Sequence, residues 1–209
     1  MKKVLLLAAA ITANFYSAQT DSYGLKAGLN ISSLSTNFKN EYNSFYSVEI
    51  DSRSKVGVYL GAYIERKYTE KSSLNAEALL SFQGARLSLT QKFSVPSYGY
   101  GYGSYSYDKT MVTNVNFTQL NIPVYYKYKT NERFAVYGGG YLGLTLSSDA
   151  NGVTLENNTF DLGLIAGASY AINDKFSAEA RYNLGLLNLD KSNEFKNRTF
   201  QLGISYQLK

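Results

Sequence analysis

The sequence predicts an all-β protein, an eight-stranded antiparallel up-and-down transmembrane β-barrel. Eight segments of about ten residues alternate apolar and polar side chains, the length a tilted strand needs to cross a bilayer. The connections between them alternate short and long along the chain. The composition points the same way, with 20 tyrosines, 17 glycines and only 2 prolines in 209 residues. Tyrosine suits a pleated strand, and proline interrupts its hydrogen-bond ladder.

The first segment sets Tyr23, Leu25, Ala27, Leu29 and Ile31 against Gly24, Lys26, Gly28 and Asn30. The second opposes Val56, Val58, Leu60, Ala62 and Ile64 to Lys55, Gly57, Tyr59, Gly61, Tyr63 and Glu65. The third opposes Leu74, Ala76, Ala78, Leu80 and Phe82 to Asn75, Glu77, Ser81 and Gln83. The fourth opposes Leu120, Ile122, Val124, Tyr126 and Tyr128 to Asn121, Pro123, Tyr125 and Lys127. The fifth, rich in glycine, is placed with Phe134, Val136, Leu142, Leu144 and Leu146 on its apolar face. The sixth opposes Leu162, Leu164, Ala166, Ala168, Tyr170 and Ile172 to Asp161, Gly163, Gly167 and Ser169. The seventh opposes Phe176, Ala178, Ala180, Tyr182, Leu184 and Leu186 to Ser177, Glu179, Arg181, Asn183 and Gly185. The last opposes Phe200, Leu202, Ile204, Tyr206 and Leu208 to Thr199, Gln201, Gly203, Ser205 and Gln207. In each, period 2 sends the two sets to opposite faces of a sheet.

Residues 1–18 read as a cleaved signal peptide. Lys2 and Lys3 precede the unbroken apolar run Val4–Ile11, and small residues Ser17 and Ala18 follow. The run is too short for a membrane helix. Residues 19–209 form the barrel domain. Short turns contain "KYTEKS", "KTNER" and "NDK"; the longest connection runs from Leu87 to Asn116. Outer-membrane barrels have short periplasmic turns and longer outside loops. An even number of strands then leaves both termini in the periplasm.

A soluble lipocalin-like barrel alternates as well, but with its apolar face inside around a ligand. Two features favour the membrane. The polar faces combine glycine with charged residues, as a narrow filled lumen requires. Aromatic residues cluster near the ends of the apolar faces (Phe82, Tyr126, Tyr128, Phe134, Tyr170, Phe176 and Phe200), where interfacial girdles lie.

The stretches "QLNIPVYYKYK", "VYGGGYLGL", "FDLGLIAGASYAIND" and "AEARYNLGLLNL" resemble the small outer-membrane β-barrel proteins of Bacteroidota, the PorT-like or porin-family group. The resemblance covers nearly the whole chain after the signal segment, and the architecture is similar to that of the OmpA and OmpX barrels. It implies an outer-membrane location and the barrel fold; it implies little about biochemical activity.

The sequence contains neither cysteine nor histidine. That excludes disulfides, thiolate zinc sites and the commonest general base. The net charge of +5, two of it from Lys2 and Lys3, and the absence of a basic run argue against nucleic acid. No cofactor is expected, and no metal: "NLDKSNE" offers Asp190, Asn193 and Glu194, but their spacing matches no calcium loop.

By parity, Glu77, Glu179, Arg181, Lys127, Lys26 and Lys55 all point into the lumen. "GVYLG…LNAEA" and "GLIAG…FSAEA" are a weak internal repeat that sets Glu77 and Glu179 on opposite walls. Charges in a narrow lumen need partners. An ion-pair network is expected, with Glu77 and Glu179 drawing on Arg181 and Lys127. A glycosidase-like acid/base pair is the competing reading of the two glutamates, but a filled lumen leaves substrate little room.

The longest connection carries "SYGYGYGSYSYDK". Gly103-Ser104 suits a two-residue hairpin turn that would pair Tyr102 with Tyr105 and Tyr100 with Tyr107. All five rings, Tyr98 included, would share one face. That register requires a bulge near Pro96 or Thr118. A mobile glycine-rich loop is the alternative. The leading functional expectation is a non-enzymatic, monomeric outer-membrane barrel in contact with lipid. Its 87–116 connection would meet a surface ligand or protein, for adhesion, envelope integrity or ligand contact. A narrow pore is second and the soluble periplasmic binder third.

Overall fold

The computed structural model describes residues 21–35, 39–43, 46–95, 105–150, 160–188 and 196–209. The signal segment 1–18, Tyr98, Tyr100, Tyr102, and Asp190, Asn193 and Glu194 lie outside the described residues.

Nine strands follow one another: β1 (Asp21–Ser35), β2 (Lys39–Asn43), β3 (Tyr46–Lys67), β4 (Ser72–Val95), β5 (Tyr105–Lys129), β6 (Phe134–Ala150), β7 (Phe160–Ala171), β8 (Phe176–Asn188) and β9 (Lys196–Gln207). Each pairs antiparallel with its neighbour along the chain, except that β1 skips β2 to pair with β3. β1 also pairs with β9, so β1 and β3–β9 close into a ring of eight. β2 is an addition to the eight expected strands. It pairs with the outer end of β3 at Tyr46–Glu49, well beyond the Lys55–Arg66 stretch that meets β1.

The eight predicted segments all lie in the ring with the predicted facing. Leu25 is 52% exposed, Leu60 52% and Ile204 54%, whereas Lys26 is 4%, Glu77 3% and Arg181 2%. A soluble barrel would bury the first set and wet the second, so the lipocalin-like alternative is overturned. The outward aromatics gather at the short-turn end, where Phe134 pairs with Tyr170, and Phe176 with Tyr206 at 4.8 Å between ring centroids. Phe82, Phe160 and Phe200 are exposed toward the opposite end.

The three short turns share one device. Asn131 Oδ1 accepts the backbone N–H groups of Arg133 and Phe134, and Asn173 Oδ1 those of Lys175 and Phe176. Thr69 Oγ1 accepts those of Lys71 and Ser72. "TEK", "NER" and "NDK" are thus one turn written three times: a side-chain oxygen that closes it, then an acid and a base in water.

The 87–116 connection is not a loop. β4 and β5 run through most of it, and the 24 residues of β4 extend roughly 80 Å, far more than a bilayer requires. Their pairing keeps one register from Ser72↔Tyr128 to Val95↔Tyr105. Tyr105 and Tyr107 therefore pair with Val95 and Phe93, not with Tyr102 and Tyr100, and no bulge intervenes between these strands. Register shifts lie on other edges, at Ser54–Val58 between β3 and β4, at Thr118/Gln119 between β5 and β6, at Leu184–Asn188 between β8 and β9, and at Glu41–Asn43 between β2 and β3. The bulge expected near Thr118 in the pairing of β4 with β5 is absent; the shift at Thr118/Gln119 belongs to the pairing of β5 with β6.

Candidate functional site

The interior of the ring is built in tiers. At the short-turn end Lys127 Nζ lies 3.0 Å from Glu65 Oε2, and Ser73 Oγ donates to Glu65 Oε1 at 2.7 Å. The middle tier is a four-charge cluster. Lys26 Nζ is 2.6 Å from Glu77 Oε1 and 2.7 Å from Glu179 Oε2, and Arg181 Nη1 is 2.8 Å from Glu77 Oε2. The Tyr125 hydroxyl donates to Glu77 Oε1 at 2.5 Å and accepts from Lys26 Nζ at 3.0 Å. The rings of Tyr63 and Tyr125 also face Lys26 Nζ, at 5.1 and 5.6 Å. Each charge has an opposite within hydrogen-bond reach, the condition under which ions persist away from water.

Above the cluster come uncharged polar groups. Asn30 Nδ2 donates to Ser81 Oγ, Gln201 Nε2 to Asn30 Oδ1, and Gln83 Nε2 to Gln119 Oε1. Asp161, fully buried, accepts from the Tyr141 hydroxyl at 2.9 Å and from Asn197 Nδ2 at 3.3 Å, both at Oδ2. Ala85, Val115 and Phe117 are buried at the long-connection end.

Glu77 and Glu179 do face each other from opposite walls. The residue that joins them is Lys26, from β1, which lies two strands from each around the ring. Lys127 does not reach this cluster. It pairs in register with Ser73, beside the turn, and so meets Glu65 instead. Lys55 stands apart from both, donating to Asn116 Oδ1 beyond the lumen. Parity placed these side chains inside; the stagger between strands decides their depth.

Five lumen tyrosines fill the remaining space, and each is paired across the strands with a glycine: Tyr59 with Gly28, Tyr63 with Gly24, Tyr125 with Gly139, Tyr137 with Gly167 and Tyr141 with Gly163. A Cβ on Gly167 would come 2.6 Å from the Tyr137 ring, and one on Gly203 would come 1.9 Å from the Tyr59 hydroxyl. A large flat ring fits a narrow bore only where its neighbour has no side chain, which accounts for these five tyrosines and their glycine partners. Tyr59, Tyr63 and Tyr125 were visible in the alternating segments as members of the polar faces; Tyr137 and Tyr141 lie in the glycine-rich segment, where only the apolar face was assigned. Their glycine partners become visible only once register is known.

Beyond the ring, the β4–β5 ribbon is solvated. Tyr107, Asp108, Lys109, Thr110, Met111 and Val112 are exposed in succession, so both faces are wet. Cross-strand polar pairs lace it, Thr90 with Thr110 at 3.2 Å and Arg86 Nε with Asn114 Oδ1 at 3.3 Å.

A closed antiparallel ring with an apolar outer band, aromatic girdles and an ion-paired interior defines an integral membrane β-barrel. The chain belongs to the outer membrane protein beta-barrel domain family, whose model matches residues 17–191. Its fold is similar to that of Neisserial surface protein A, with a TM-score of 0.51 at 12% identity, over 90% of this chain and 99% of that one. Ail, the attachment invasion locus protein of Yersinia pestis, aligns over 91% of this chain and all of its own, with a TM-score of 0.48 and 16% identity. OprG of Pseudomonas aeruginosa aligns over 90% of this chain and 94% of its own, at 13% identity and a TM-score of 0.42. No curated protein matches the sequence.

Proposed function

We propose that this outer-membrane barrel is a non-enzymatic, monomeric surface-contact protein of the PorT-like Bacteroidota group, exported by a cleaved signal peptide. Its termini and short turns face the periplasm, and its long connections face outward. The observation that carries the reading is the β4–β5 ribbon, whose paired strands run far past the apolar band and expose Tyr107, Met111 and Val112 to solvent. Tyrosine buries area and hydrogen-bonds at low entropy cost, so Tyr98, Tyr100, Tyr102, Tyr105 and Tyr107 together form the contact segment. The cluster of Lys26, Glu77, Glu179 and Arg181 acts as a plug and a girder, which opposes the narrow-pore alternative.

Protease added to intact cells tests the orientation. Cleavage is expected within 96–104 and not at the Glu70-Lys71 or Glu132-Arg133 turns; the reverse pattern overturns it. Attachment of expressing cells to polystyrene, collagen-coated and mucin-coated wells tests the contact role. Changing the five tyrosines to serine should lower attachment while the barrel stays folded. Equal attachment by both strains would remove the ribbon from that role.

A further inference from the structure

A cavity of about 520 Å³ opens at the short-turn end of the ring. Its wall is uneven. Lys67 and Glu65 of β3 and Lys127 and Lys129 of β5 line one part of it. Small side chains line the rest, with Ala135 on β6, Ser169 and Ala171 on β7, and Ser177 on β8. Register sets this contrast. Lys67, Ser73 and Lys127 share one rung across β3, β4 and β5. Lys129 begins another, which continues through Ala135 and Ser169. Long cationic side chains are thus gathered on one wall, and the small residues beyond them leave the space open.

The charges that the strands contribute do not cancel. Three lysines meet one acid, Glu65, which Lys127 already holds at 3.0 Å and Ser73 Oγ at 2.7 Å. Among the described residues no ion pair engages Lys67 or Lys129. Glu132, Arg133 and Asp174 also border the cavity, but from the turns, where all three are exposed and screened by water. The inner wall therefore carries a surplus of positive charge.

We propose that this cavity binds a small solute bearing a phosphate group, with Lys67 and Lys129 as the cations that meet it. A lysine ammonium is a point charge with three donors, well suited to phosphate oxygens. Ser169, Ser177 and Gln207 offer hydroxyl and amide groups to the remainder of the solute. The volume lies within the roughly 300–1,000 Å³ of small-molecule sites, and the charged, hydroxyl-rich lining suits a hydrophilic molecule of sugar-phosphate size. Binding, not passage, follows from what lies deeper, because the cluster of Lys26, Glu77, Glu179 and Arg181 closes the bore. The cavity stands at the opposite end of the barrel from the β4–β5 ribbon, so its ligand is independent of any contact the ribbon makes.

Isothermal titration calorimetry on the full-length protein, refolded in detergent micelles and held at constant ionic strength, tests this with glucose 6-phosphate, inorganic phosphate and glucose. Saturable binding is expected with both phosphates and none with glucose. Tighter binding of glucose 6-phosphate supports contacts along the serine wall; equal binding supports the phosphate as the group recognised. Affinity should fall roughly tenfold or more in the Lys67→Ala/Lys129→Ala double variant. Its urea unfolding midpoint should match wild type, since neither lysine is held in an ion pair. Ser177→Glu keeps every lysine but sets a carboxylate in the cavity, and it should abolish binding as well. This variant decides the matter if the double variant does not fold. Lys109→Ala, on the ribbon, should bind as wild type. No saturable binding of either phosphate, equal binding of glucose, or an affinity unchanged in the folded variants overturns the proposal.

Discussion

Gly163 and Tyr141 share a rung between β6 and β7, and a methyl group begun at Gly163 would lie 2.3 Å from the Tyr141 ring. The Tyr141 hydroxyl meanwhile donates to Asp161, so the ring cannot swing aside without losing that bond. Gly163→Ala should therefore destabilise the barrel by about 1–3 kcal/mol, the usual cost of overpacking. Urea unfolding in vesicles measures it. The methyl would also lie 2.3 Å from the Leu184 carbonyl oxygen, so adding Tyr141→Ala should recover only the ring's share of the loss, the non-additive part. Additive losses would show that the backbone carbonyl of Leu184, and not the ring, sets the cost.

The ring of eight was legible because one face of each strand meets lipid and the other a polar lumen, so period 2 survives in every segment. The same rule explains what was missed. Thr90 to Lys92 and Asp108 to Val112 are strand, but water or open surface lies on both sides of them. Nothing forces their polarity to alternate, and they read as a loop. In the lumen, the sequence placed Lys26 and Lys127 on the inward face alike. Which one meets Glu77 depends on the stagger between β1, β4 and β5, and the distance of Lys127 from Glu77 is set by its pairing with Ser73 beside the turn. Asp161 was visible as an inward residue, but its lack of a basic neighbour is a property of the closed ring.

Lys26 bridges two glutamates, so its removal leaves both buried and crowded. Lys26→Met should cost about 3–5 kcal/mol, the penalty for stranding buried charge. Changing Glu179 to Gln in the same chain should restore part of it, since one carboxylate then keeps Arg181 and the other is gone. The midpoint of urea unfolding reads both. A Lys26→Met barrel as stable as wild type would mean that water already reaches the cluster.

The same cluster predicts electrical silence. Reconstituted in planar bilayers, the wild-type barrel should give no stable channels, because Lys26, Glu77, Glu179, Arg181 and the tyrosines around them occupy the bore. Replacing Lys26, Glu77 and Glu179 together with alanine removes the joining groups and should produce channel events if the chain still inserts. Regular wild-type conductance that changes in Arg181→Ala would instead place an open path through this tier.

The ribbon can be shortened without touching the ring. Ser88 pairs with Val112, and the register between β4 and β5 is unbroken from there to Ser72↔Tyr128. Joining Ser88 to Val112 through an Asn-Gly turn therefore keeps the register, since a two-residue turn of this kind continues a hairpin. The residues removed make their strand pairing with each other, apart from the outer end of β3, which pairs with β4 from Ile50↔Leu89 to Tyr46↔Phe93. The shortened protein should still fold, with the heat-dependent mobility on gels and the strand signal in circular dichroism that mark a closed barrel. Its stability should change little, because the lumen tiers, the glycine–tyrosine rungs and the girdles all lie on the ring side of the cut. Failure to fold would show that the ribbon guides closure of the barrel, and its role as a dispensable contact surface would have to be abandoned.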